Sequence, residues 1–199
     1  HRVDLTSDTR YVNRLGPTHN FFSERDTMTY YQPLATPEQQ QKPASKHTQA
    51  HQASVRKQLP LSETKSFDNA RKGFIKTLEP MQIPHQHADR MVFDLTQFEF
   101  LKDESPETVN PSLWRQAQLN AQHHGLFEVV DGIYQVRSFD IANMTLVRGE
   151  TGWIIIDPLT CTESARAALA LANDHLGHRD VVAVIHTHSH VDHFAGILG

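Results

Sequence analysis

A chain of 199 residues has room for one domain of ordinary size, or a domain and a tail, and 38% hydrophobic residues support a core over part of that length only. A formal net charge of -4 gives no reason to expect nucleic acid or an anionic membrane surface as partner. The single cysteine, Cys161, excludes an intramolecular disulfide framework and a Cys-rich zinc site, and no apolar run reaches the length of a membrane span.

Residues 1–58 are polar and rich in Thr, Gln, Pro and His, and the stretch Thr36-Pro-Glu-Gln-Gln-Gln-Lys-Pro43 has too few apolar groups to offset the entropy of ordering a backbone. This predicts a mostly disordered tail, with a polar helix over Lys46 to Lys57 and Phe21, Phe22, Tyr30 and Tyr31 as its only sizeable aromatic content. From residue 59 the composition changes, and residues 59–199 read as the domain. Phe67, Ala70, Phe74, Ile75 and Leu78 follow helical spacing up to Glu79-Pro80, where proline disfavours continuation. His85-Gln-His87 follows Pro84 and reads as a solvated loop. Met91 to Leu95 and Phe98 to Leu101 read as short strands or an extended segment.

Pro111 to His123 predicts a helix with proline in its first turn, on which Trp114 and Arg115 are packing and surface residues. His123 and His124 precede Gly125 at its end, where polar side chains suit the helix dipole. Four strands follow, at Phe127 to Val130, Ile133 to Arg137, Met144 to Arg148 and Trp153 to Ile156, and their short turns imply antiparallel pairing. An Ala/Leu-rich amphipathic helix spans Thr162 to Leu176, with Ala165, Leu169, Ala172 and Leu176 on one face and Gly177 as its stop. The apolar run Val181 to Ile185 predicts a strand buried on both faces and parallel to the one before the helix. The fold class is therefore α+β, with the tips of both parallel strands at one rim, where ligand sites form.

That rim carries imidazoles. His-x-His-x-Asp-His fits one register: His188, His190, Asp192 and His193. Residues two apart in extended backbone project to one side, so His188 and His190 can share one ion. Asp192 and His193 come after the chain has begun to turn and serve a second ion. Imidazole nitrogens with one carboxylate and no thiolate suit Zn²⁺ best, with Mn²⁺ or Fe²⁺ as alternatives. Thr187 and Ser189 are placed to orient the rings, and His186 reads as a strand or supporting histidine. Asp157, at the end of its own strand, reaches the same rim and is placed to bond a ligand histidine or the turn after it.

The run His188-Ser-His-Val-Asp192-His193-Phe-Ala-Gly196 after an apolar strand resembles the metallo-β-lactamase superfamily. Thr108-Val-Asn-Pro-Ser-Leu-Trp-Arg-Gln116, Gly132-Ile-Tyr-Gln-Val-Arg137, Asp140-Ile-Ala-Asn143 and Trp153-Ile-Ile-Ile-Asp-Pro-Leu-Thr160 resemble its alkyl sulfatases, from about residue 59 onward. The resemblance implies the first half of a metallo-β-lactamase-type αβ/βα sandwich and a two-zinc site with His188, His190, Asp192 and His193 as metal ligands. It further implies Asp192 as a catalytic residue and Asn143 at the substrate cleft. The implied reaction is hydrolysis of alkyl sulfate esters such as dodecyl sulfate to alcohol and sulfate by a metal-activated water. The family also implies a homodimer, a periplasmic or secreted setting, and further metal ligands downstream of Gly199, so the chain is expected to be an incomplete and inactive N-terminal part. The alternatives are another hydrolase of the superfamily, acting on a lactam, thioester or phosphodiester, and a non-catalytic zinc-binding protein.

Overall fold

The computed structural model describes residues 42–199, of which Pro43–Gly199 form one compact unit. That unit begins before the boundary expected at residues 58/59. Helix α1 (Lys46–Gln58) forms where the polar helix was expected, capped by the Ser45 hydroxyl accepting the Thr48 amide at 3.1 Å. Gln49 and Arg56 bond Glu107 and the Ser105 carbonyl, so this part of the expected tail is fastened to the domain. The remainder of the expected disordered tail, with its four aromatic residues, lies outside the described residues.

The helix expected through Leu78 stops early, as α2 (Lys65–Ala70). Gly73 then turns the chain at a φ of 72°, and Phe74–Lys76 forms strand β1 against strand β4 (Gly125–Val130). Pairing with a distant strand overrides the local helical period here. A hairpin follows, with β2 (Gln82–Pro84) antiparallel to β3 (Met91–Asp94). Leu95–Lys102 is a 3₁₀ segment and not the strand expected at Phe98 to Leu101, because the Asp94 carboxylate accepts the Thr96 amide at 2.9 Å and starts a turn. Helix α3 (Pro111–Gln122) starts on an Asn110 cap with proline in its first turn.

Strands β5 (Ile133–Arg137), β6 (Met144–Arg148) and β7 (Trp153–Ile156) extend the sheet, helix α4 (Thr162–Leu176) crosses over, and β8 (Val181–Ile185) closes it. The strand order is β1-β4-β5-β6-β7-β8, antiparallel except for the parallel β7–β8 pair. Alternate residues Tyr134 and Val136, Met144 and Leu146, and Trp153 and Ile155 share one buried face against Ala168, Leu171 and Ala172 of α4. Trp153 is fully buried and its Nε1 donates to Asn173 Oδ1 on α4 at 2.8 Å. β8 departs from the expectation of burial on both faces: Val181, Val182 and Ile185 are exposed, since β8 is an edge strand and α4 covers one side only. Gly152 lets the β8 approach run close, because a Cβ there would collide with the Asp180 carbonyl.

Candidate metal centre

The parallel register pairs Ile156 with Ile185, so the chain leaves β7 at Asp157 and leaves β8 at His186 side by side. Asp157 is largely buried and takes a left-handed φ of 57°, a conformation that aspartate tolerates better than most residues. Its carboxylate is fully engaged. Oδ1 accepts the Thr187 amide at 2.8 Å, and Oδ2 accepts the Thr187 hydroxyl at 2.7 Å and His193 Nδ1 at 2.8 Å. Both roles anticipated for Asp157, bonding a histidine and bonding the following turn, are thus present in one side chain.

These bonds fix protons. An ionised carboxylate only accepts, so His193 carries its proton on Nδ1 and presents Nε2 outward. Thr187 spends its hydroxyl proton on Asp157, so its oxygen accepts from His188 Nδ1 at 2.9 Å. His188 therefore also presents an Nε2 lone pair, and one carboxylate sets the tautomer of two histidines. Ser189, expected to share this role, is simply exposed. His186 donates Nδ1–H to the His193 carbonyl at 3.1 Å and packs edge-on against Phe194, a supporting position as expected.

The four motif side chains come together as two pairs. His188 Nε2 lies 3.1 Å from His190 Nδ1, and Asp192 Oδ2 lies 3.2 Å from His193 Nε2. Neighbouring ligand atoms on a tetrahedral zinc with bonds of about 2.0–2.1 Å stand roughly 3.3 Å apart, so each pair has the spacing of two ligands on one ion. The rings of His188 and His193 lie 4.0 Å apart between centroids, tilted by 48°, which puts the pairs side by side. Among the described residues no three His, Cys, Asp or Glu side chains close on a single point, so each pair offers two donors and no more.

The electrostatics favour a cation. The Asp157 hydrogen bond lifts the His193 pKa above its ordinary value; burial opposes it, and the charges of Asp192, Asp157 and Asp140 add to the rise. Burial pushes the Asp157 carboxyl up, but the Thr187 amide, His193 and the Thr187 hydroxyl outweigh it and hold the group below its ordinary value. The carboxylates acting on His193 favour positive charge at this point, which a protonated imidazole or a divalent ion between the donors supplies. The donor set therefore fits a metal.

Gly196 anchors the loop. Its amide donates to the Leu159 carbonyl at 2.9 Å, and a Cβ there would collide with the Pro158 carbonyl and lie 2.8 Å from that of Cys161. Only glycine allows the loop after β8 to lie this close to the β7–α4 turn. Asp140, which sequence reasoning quoted only as part of a segment, lies in the β5–β6 loop and feels the charge of Asp192. Burial pushes its carboxyl up, opposed by the amides of Thr160 and Ala142. Asn143, three residues on, is exposed at the end of the same loop. His85 and His87 lie in the expected loop, with His87 exposed, but the loop is tied down at Gln86: its N donates to Glu163 Oε1 at 3.3 Å and Arg166 donates to its Oε1 at 2.9 Å, joining the hairpin tip to the first turns of α4. No sequence period links positions so far apart.

Fold and centre together define a class: residues 137–199 match the metallo-beta-lactamase superfamily. Within it, the relatives that this chain resembles are alkylsulfatases. It is 48% identical over 160 residues to a linear primary-alkylsulfatase of Pseudomonas sp, an alignment covering 79% of this chain and 23% of the relative. It is 45% identical over 173 residues to an (R)-specific secondary-alkylsulfatase of Pseudomonas sp, covering 86% and 26%. The solved structure of the stereoselective inverting sec-alkylsulfatase Pisa1 from Pseudomonas sp superposes with a TM-score of 0.72 at 46% identity, over 78% of this chain and 24% of that one. The chain thus spans about a quarter of the length of the relatives it matches.

Proposed function

We propose that this chain carries the first half of a two-zinc centre for hydrolysis of alkyl sulfate esters, releasing an alcohol and inorganic sulfate. The observation that carries the reading is the pair of half-sites ordered by Asp157, in a chain whose relatives are alkylsulfatases. His188 and His190 would hold one ion, and Asp192 and His193 the other. Bound there, divalent ions supply charge neutralisation for an anionic ester and acidify a water.

The chain's own residues do the rest. Asp157 and Thr187 hold the proton of His188 on Nδ1, and Asp157 holds that of His193 on Nδ1, so both rings offer Nε2 to the site. Asp192 contributes a carboxylate oxygen beside His193 and repels a second anion except where a cation intervenes. Exposed Asn143 offers an amide to the sulfate head. Dimerisation and a periplasmic or secreted setting belong to the same reading and rest on the family resemblance; among the described residues no helix is long and apolar enough to cross a membrane.

The test is sulfate release from dodecyl sulfate by the zinc-loaded protein carrying this segment, compared with His188→Ala and Asp192→Asn. Loss of at least 100-fold in both variants is expected, since each removes a metal ligand. Unchanged turnover in either variant, or hydrolysis of a lactam, thioester or phosphodiester in place of the sulfate ester, overturns the reading.

A further inference from the structure

The metal loop does not stand on β8 alone. It leans on the turn between β7 and α4, residues 157–161, and that turn is held in an unfavourable backbone. Asp157 and Leu159 both have left-handed φ values, 57° and 69°, and neither is glycine. A non-glycine residue in that region costs on the order of 1 kcal/mol and persists only where its surroundings over-determine it. Leu159 is fully buried, which fixes its side chain, and its carbonyl receives the Gly196 amide. What fixes the next peptide is a carboxylate from a different loop. Asp140 Oδ2 accepts the Thr160 amide at 2.7 Å, while Oδ1 accepts the amide of Ala142 in its own loop at 2.8 Å. A second tether runs in parallel, from the Ser164 hydroxyl to the Phe139 carbonyl at 3.1 Å. The Asp140 loop itself enters through Ser138 at a left-handed φ of 55°.

The choice of side chain is informative. Two backbone N–H donors approach two different oxygens, so the group must accept on both. An asparagine of the same shape accepts on one side only and sets an N–H₂ against an N–H on the other. A carboxylate alone satisfies both amides.

We propose that Asp140 is a positioning residue for the metal loop, acting through the Thr160 amide on the turn whose Asp157 orders His188 and His193 and whose Leu159 carbonyl seats Gly196. The inference rests on the reading of that loop as a metal site, and it adds a distinct mechanical claim: the β5–β6 loop and the metal loop are coupled through one short turn.

The experiment is Asp140→Asn, read by two measurements. Amide hydrogen exchange, followed by NMR, compares Thr187 and Gly196 with amides of the β5–β6 ladder; the ratio cancels any general loss of stability. About tenfold faster exchange at Thr187 and Gly196 relative to the ladder is expected. Co²⁺ affinity, measured by chelator competition, is expected to fall about tenfold, the lower end for a group that supports a ligand from behind. Unchanged relative exchange overturns the proposal, as does faster exchange with unaltered Co²⁺ affinity. A wild-type chain that binds no Co²⁺ strikes at the metal reading instead, and the exchange ratio still decides the clamp. Should the Asn variant not fold, Asp140→Glu, which keeps the charge and shifts both acceptors by one methylene, carries the same comparison.

Discussion

Asp157 and His193 are 36 positions apart in the chain and 2.8 Å apart at their polar atoms. The same carboxylate reaches His188 only through the Thr187 hydroxyl, at 2.7 and then 2.9 Å. Removing that hydroxyl isolates the second route. Thr187→Val keeps shape and β-propensity but frees the His188 tautomer, and Co²⁺ affinity at the His188/His190 pair is expected to drop about tenfold. Thr187→Ser restores the hydroxyl and the affinity. Chelator competition with Co²⁺ absorbance measures both.

Gly196 has no room for a side chain beside the Pro158 and Cys161 carbonyls. Gly196→Ala is expected to cost about 1–3 kcal/mol of stability, the usual range for overpacking, and to weaken metal binding because the loop must lift off the β7–α4 turn. Urea unfolding with and without metal separates the two effects.

Trp153 is fully enclosed between the sheet and α4. Trp153→Ala removes a large buried ring and leaves Asn173 Oδ1 with the Arg179 amide alone, a loss of about 3–5 kcal/mol. Trp153→Phe keeps most of the volume and loses the hydrogen bond, and its urea midpoint falls between the two.

His124 supplies a pH dependence remote from the metal loop. Its Nδ1 meets the Thr77 hydroxyl at 2.6 Å, and burial depresses its pKa below the ordinary 6.5, with Glu79 opposing and His123 reinforcing. The folded protein therefore resists protonation that the unfolded chain accepts near 6.5. Below that pH the unfolded state binds more protons, so stability falls as pH drops from about 6.5 toward the folded pKa. His123, also lowered by burial and by Arg71, acts in the same direction. His193, raised above its ordinary value, acts the other way, so the test is a difference: between pH 7 and pH 5 the urea midpoint of the wild type is expected to lose more, or gain less, than that of His124→Asn.

The antiparallel run from β5 to β7, helix α4 and the position of β8 are legible in the sequence, because each has a clean period and a turn signal at its ends. Where the reading departs from the structure, a distant contact decides. Phe74 and Ile75 keep a helical period with Phe67, yet they join β4 as strand β1. Phe98 to Leu101 alternate like a strand, yet the Asp94 carboxylate turns them into a 3₁₀ segment. The motif from His188 to His193 is visible as spacing, but what orders it is not: the Asp157–Thr187 bond spans 30 positions and the Asp140–Thr160 bond spans 20. The tie from Gln86 to Glu163 is likewise invisible, because Glu163 lies on a helix that no local pattern connects to that loop.

The parallel pairing of β7 with β8 gives the centre a place in the order of folding. Parallel neighbours need a crossover, so α4 must form and dock before Thr187 can meet Asp157, and the entropy of that loop closure is lost before any ion is gripped. The arrangement of His188 and His193 set by Asp157 exists only once the sheet has assembled, so added Co²⁺ is expected to slow unfolding more than it speeds refolding.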